Sequence, residues 1–214
     1  MIGFSMRYIL IKVRYFLLAV LFLNSHAFAQ TAVKELQQEL QNFKTLTADF
    51  EQKVINQDLR LLDVQKGKFF LQRPGKFKWQ YTDQDQDIVS DGKTIFFVMR
   101  DLEQVIKKDL SNAIKTVPSL ILVTDVSKLV ELFAIEKLPS QARVSRFQLL
   151  PKSLDSNYES VTVSFLNGKL LSLRLTDVLG QTTEVVLSDT KNNPKISRRE
   201  FQVKIPKGFD VIEG

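Results

Sequence analysis

The chain has 214 residues, with 30 basic and 24 acidic side chains, one histidine and no cysteine. Disulfides and thiolate chemistry are therefore out of reach. The only histidine, His26, lies in an N-terminal segment expected to be removed, which excludes His-dependent triads and the usual zinc and copper sites. Carboxylates, Lys, Ser and Tyr remain, and that set favours a protein that binds something over one that transforms it.

Arg7, Lys12 and Arg14 form a basic n-region ahead of the apolar run Tyr15 to Leu23, and Ala27-Phe28-Ala29 puts small residues where a signal peptidase reads. A cleaved secretory signal with cleavage before Gln30 is expected. The run is too short for a membrane anchor, which needs about 20 apolar residues. A lipid anchor would need a cysteine at the cleavage point. Removing residues 1–29 leaves 185 residues, 30–214, with 27 basic and 24 acidic side chains and a charge of +3. That length suits one domain with a sizeable core, and the charge is too mild to argue for nucleic acid.

Residues 31–46 (TAVKELQQELQNFKTL) predict a helix: Val33, Leu36, Leu40 and Phe43 recur at spacings of three and four, with Thr31 as N-cap. The stripe is narrow, so the helix should lie on a surface. Period two follows through Ala48, Phe50 and Gln52, then through LLDVQKGKFFLQ and KFKWQYTD. Asp91-Gly92 between two apolar runs signals a hairpin, and LEQVIKK reads as a further strand. No connection here is long enough for a crossover helix, so these strands should be antiparallel.

The middle, TVPSLILVTDVSKLVELFAIEKL, changes character. Thr116 and Pro118 read as a helix start and Asp125 as a second cap, and Leu120, Leu122, Val123, Leu129, Val130, Leu132 and Phe133 make both pieces strongly apolar. Strands resume after Pro139 with ARVSRFQLLPK, YESVTVSFLNGKLLSLRLTD, QTTEVVLSDTK and ISRREFQVKIP, the second broken by an Asn167-Gly168 turn. The expected fold is mainly β: an open antiparallel sheet or incomplete barrel of ten or eleven strands, with about three short helices on one side.

Catalytic motifs are thin. Asp83 to Asp87 (DQDQD) resembles the start of a calcium loop but has Ile88 where glycine is required and Thr94 where an acid is required, so a solvated hairpin is the better reading. Ser90-Asp91-Gly92-Lys93 matches S-x-x-K, yet that motif needs a helix and Asp-Gly marks a turn. No carboxylate pair stands in a recognisable context, and Lys195 to Arg199 (KISRR) reads as a solvated strand end or a contact for an anionic partner.

The aromatic surplus carries more. Twelve of the 16 phenylalanines remain once Phe4, Phe16, Phe22 and Phe28 leave, and many alternate along strands. They form either an ordinary sheet core or the wall of an apolar cavity, between sheet and middle helices, large enough for acyl chains. Phe69, Leu71, Phe77, Trp79 and Tyr81 share one parity in FFLQRPGKFKWQY, and Arg73 falls on it too. Either the Pro-Gly step after Arg73 breaks the alternation and leaves the arginine exposed at a strand end, or a permanent charge faces the apolar side.

The stretches FEQKV (Phe50 to Val54), RPGKFKW (Arg73 to Trp79), VSDGKTIFF (Val89 to Phe97), DLEQV (Asp101 to Val105), TVPSLIL (Thr116 to Leu122) and FQVKIPKGFDVI (Phe201 to Ile212) occur in an order that resembles the LolA family of periplasmic outer-membrane lipoprotein carriers. Met99-Arg100 departs from the Tyr-Asp-Pro turn usual there, which leaves that loop's shape open. The resemblance implies an incomplete β-barrel closed by a helical lid over an acyl-chain cavity, in a monomeric periplasmic carrier that is not an enzyme and needs no cofactor. It implies as partners acylated lipoproteins as cargo, an inner-membrane lipoprotein-releasing ABC transporter and an outer-membrane receptor of the LolB type. Candidates for the cavity lining are Phe50, Phe69, Leu71, Phe77, Trp79, Phe97, Leu120, Leu122, Leu129 and Phe133. Arg73 matches the family arginine that tethers the closed lid, and its donors would suit unpartnered carbonyls at lid-helix ends. Two other readings share the fold: the outer-membrane receptor of the same pathway, against which the missing lipobox cysteine argues, and a periplasmic lipid- or polyene-handling relative with different cargo.

Overall fold

The structure is a computed structural model, and it describes residues 30–113, 118–141 and 143–214. The expected signal and its cleavage point lie outside the described residues, as does Thr116. Twelve strands form a single sheet: β1 (Thr45–Ile55), β2 (Leu61–Gln72), β3 (Lys76–Tyr81), β4 (Gln86–Asp91), β5 (Thr94–Met99), β6 (Gln104–Asp109), β7 (Phe133–Leu138), β8 (Val144–Pro151), β9 (Tyr158–Leu166), β10 (Lys169–Asp177), β11 (Thr182–Asn192) and β12 (Asp210–Glu213). Their spatial order is β12-β6-β5-β4-β3-β2-β1-β11-β10-β9-β8-β7, so the sheet begins at β12, ends at β7 and stays open. Neighbours are antiparallel except β12, which runs parallel to β6.

The mainly β open-sheet expectation holds, with more strands than the ten or eleven expected. FAIEKL, read as the tail of a helix, is β7: Phe133 and Ile135 point inward and Ala134 and Glu136 outward, the period of a strand. ISRREFQVKIP, read as a strand, is not one. Ser197 caps a short 3-10 turn at Arg198–Phe201 by accepting the Arg199 N–H, and the chain then runs on to β12. The alternation of Phe201, Val203 and Ile205 therefore belongs to a strap and not to a ladder.

That strap covers one face of the sheet. Phe201 is buried, Glu200 pairs with Lys78 at 3.5 Å, and the outward side chains Val89, Val98 and Val105 are buried apart from the main core. The opposite, inner face carries the main core.

Helix α1 (residues 30–41) places Leu36 and Leu40 in that core, together with Phe43 just beyond it, and keeps its polar side in solvent, as expected. Gln30 and Thr31 already lie within the helix, so Thr31 is not its N-cap. Glu35 pairs with Lys137 of β7, which ties α1 to the open edge. Between β6 and β7 come α2 (Leu110–Ala113), a 3-10 turn (Pro118–Leu122) and α3 (Val126–Leu132), and these make the lid. The β9–β10 hairpin turns at Asn167 and Gly168 with φ of 52° and 73°, the double positive φ its Asn-Gly pair requires.

Candidate functional site

Cross-strand register assembles the inner face. One row runs Phe69, Trp79, Ile88, Phe97, Ile106 across β2 to β6. The next runs Leu46, Leu71, Phe77, Ser90, Ile95 across β1 to β5. On the other side of β1, Phe50 faces Leu187, while Val185, Leu173, Val163 and Phe147 continue across β11 to β8. Strand alternation alone places these side chains on one face.

Aromatic packing is densest around Trp79. Phe69 stacks on it at 4.1 Å between centroids, and Phe50 meets it edge-on at 4.8 Å and meets Tyr81 at 5.3 Å. Such pairs add about 0.5–1.5 kcal/mol beyond area burial. Gly67 makes the arrangement possible: a Cβ there would lie 2.7 Å from the Phe50 ring, so Phe50 lies across β2 only because no side chain intervenes. Burial pushes the Tyr81 hydroxyl up to about 12, and it donates to Gln52 Oε1 at 3.4 Å.

Every residue expected to line the cavity belongs to this face or to its cover. Phe50, Phe69, Leu71, Phe77, Trp79, Leu120, Leu122, Leu129 and Phe133 are buried in one hydrophobic cluster, and Phe97 is partly buried against it. Ile121, which the sequence reading passed over, is as deeply buried as Leu120 and Leu122. In this conformation the lid side chains pack directly onto the floor, so lid and floor form one core.

Arg73 follows β2 in the turn to β3, and its backbone N–H donates to Lys44 O at 2.8 Å. Its guanidinium carbon lies 5.2 Å from the centroid of the Phe43 ring. Nε and Nη2 are buried, and among the described residues neither has a hydrogen-bond partner, lid carbonyls included. Burial pushes the guanidinium down to about 10, and the charge of Asp125 opposes that shift. The group therefore stays charged at neutral pH. Asp125 occupies the N-cap position of α3 as expected, but its side chain makes no capping hydrogen bond. Its electrostatic tie to Arg73 has no sequence signature, because 52 residues separate the two.

The acidic cluster of the sequence is less solvated than expected. Asp87 is buried on the outer face, and its Oδ2 accepts from Arg100 Nη2 at 2.6 Å, while Arg100 also reaches Asp85 at 3.3 Å. The hydrogen bond and charge of Asp87 raise the Arg100 pKa. Arg100 at the departure from the family turn thus clamps two of the cluster's carboxylates. No group of acidic side chains among the described residues is arranged to hold a metal ion.

Family comparison agrees with this geometry. The family model of the outer membrane lipoprotein carrier protein LolA matches residues 41–204. The chain belongs to the LolA family. An outer-membrane lipoprotein carrier protein of Pseudomonas syringae pv. tomato is 39% identical over 183 residues, 85% of this chain and 87% of that one. The carrier of Legionella pneumophila (strain Corby) is 34% identical over 92% of this chain and 98% of its own. Two solved structures share the fold at low identity. One is a domain from Vibrio parahaemolyticus assigned to outer-membrane lipoprotein sorting, with a TM-score of 0.50 and 12% identity over 81% of this chain and 97% of its own. The other, from Thermus thermophilus, has a TM-score of 0.53 and 9% identity over 87% of this chain and 99% of its own.

Proposed function

We propose that residues 30–214 act as one monomeric carrier unit in the periplasm, released from a signal cleaved before Gln30. It shields the acyl chains of lipoproteins, taking them from an inner-membrane ABC transporter and passing them to an outer-membrane receptor of the LolB type. The observation that carries this reading is a largely apolar floor covered by a short helical segment that packs on it through Leu120, Ile121, Leu122 and Leu129. Nothing in the task requires bond-making chemistry.

Each buried CH₂ is worth about 0.8 kcal/mol, so a long acyl chain is costly to expose to water. The floor supplies the contacts that replace water. In the free protein the lid uses those contacts; in the loaded protein the acyl chains use them and the lid swings aside. Binding and opening then offset each other, which keeps the cargo releasable. Arg73 sharpens the balance. A guanidinium with buried, unbonded nitrogens penalises the closed form, while attraction to Asp125 favours it. The latch holds, but weakly.

Incubating the mature chain with spheroplasts tests the reading. Soluble complexes containing acylated lipoproteins are expected. If only free fatty acids or phospholipids co-purify, the carrier reading fails.

A further inference from the structure

The tetrapeptide Ser90-Asp91-Gly92-Lys93 has a use unrelated to the catalytic motif it mimics. Ser90 is 0% exposed and stands on the apolar floor between Phe77 and Ile95. A hydroxyl in that position is costly unless it is bonded. Its Oγ donates to Gly75 O at 2.7 Å and accepts the Gly92 N–H at 3.2 Å.

Both partners belong to turns that hold the lid. The Gly75 N–H donates to Val123 O at 3.4 Å, just past the 3-10 turn of the lid. The Leu110 N–H, where the lid begins, donates to Lys93 O at 2.8 Å. The two turns are in contact: a Cβ on Gly75, whose φ is +73°, would lie 3.1 Å from Gly92 Cα and 3.1 Å from Leu110 Cδ2. Only glycine fits there.

We infer that Ser90 is a positioning residue for the lid: it fixes the Arg73-Pro74-Gly75 turn against the Ser90–Lys93 turn, so that Gly75 meets Val123 and Arg73 stays within reach of the Asp125 charge. The inference rests on the carrier reading, since it assigns Ser90 to the lid of that carrier. The longer contact at Val123 is where the lid lifts, while the turns beneath it stay joined.

Amide hydrogen exchange of the mature chain tests this, with dansyl-labelled undecanoic acid as the probe. In the wild-type protein, probe binding should speed exchange at Gly75 and leave Gly92 protected. Release of Gly92 together with Gly75 would overturn the inference. Ser90→Ala should speed Gly75 exchange about tenfold without probe, the scale of one lost buried hydrogen bond, while Phe69 and Trp79 amides keep their rates and Ser90→Thr restores protection. Unchanged exchange at Gly75, or an equal rise throughout the floor strands, would contradict it. A wild-type protein that takes up no probe defeats the carrier reading itself, a result separate from any effect of Ser90→Ala.

Discussion

Arg73, half-buried in the turn after β2, rests with its guanidinium over the ring of Phe43, 5.2 Å from the centroid, against a core built from aliphatic and aromatic side chains. A cation–π contact of this kind is worth about 0.5–2 kcal/mol, less than the cost of burying two guanidinium nitrogens without hydrogen bonds. The arginine is therefore kept at the expense of stability, as expected of a residue serving the opening of the lid.

Arg73→Leu should fold and should raise the urea unfolding free energy by about 1–2 kcal/mol, because an apolar side chain replaces a charge in apolar surroundings. The added apolar surface should also hold lid and acyl chain more firmly, so the variant accepts lipoprotein but fails to hand it to the receptor. Normal transfer by Arg73→Leu would show that the arginine does not serve the opening of the lid.

The tyrosines give a pH signature. Tyr8 and Tyr15 leave with the expected signal, so the mature chain keeps only Tyr81 and Tyr158, and burial pushes both up to about 12. Because their folded values are raised, the unfolded chain loses these protons first as pH climbs past about 10, and the associated stability fades between that pH and about 12. Ultraviolet titration of the folded chain should show no tyrosinate step near 10, whereas the urea-unfolded chain should show both.

Much of the inner face was legible in advance because strand alternation is a local property. Phe69 and Leu71 in β2, and Phe77 and Trp79 in β3, announce their side by alternation, and register merely lines them up. β7 was hidden because Phe133 follows directly on α3 and extends the helix's own apolar pattern. The strap was misread for the converse reason: Phe201, Val203 and Ile205 alternate, yet only Phe201 is buried and Ile205 is exposed. Ser90 passed for a chance match because its burial depends on register with Phe77 and Ile95. The Arg73–Asp125 relationship depends on how the lid folds back, which no local pattern encodes.

The two faces of the sheet should be separable by mutation. Phe201 is buried against the outer face and lies outside the main core, so Phe201→Ala should cost about 3–5 kcal/mol while leaving affinity for a dansyl-labelled fatty acid unchanged. Equal loss of stability and probe binding would show that strap and floor act as one unit.

Arg100→Ala leaves the buried Asp87 carboxylate without the partner that now donates to it at 2.6 Å. Because Arg100 is itself partly exposed, the expected loss is about 1–3 kcal/mol, below that of a fully buried pair. Asp87→Asn in the same background should recover part of it, as urea unfolding of the single and double variants would show.

The most direct test of the central claim uses Trp79, the chain's only tryptophan, buried on the floor and stacked on Phe69 at 4.1 Å. Loading the mature chain with a lipoprotein whose acyl chains carry bromine should quench its fluorescence strongly, because quenching requires near contact between the chains and the indole. A stable soluble complex with undiminished Trp79 emission would contradict the account, since the acyl chains would then be held somewhere other than the floor beneath the lid.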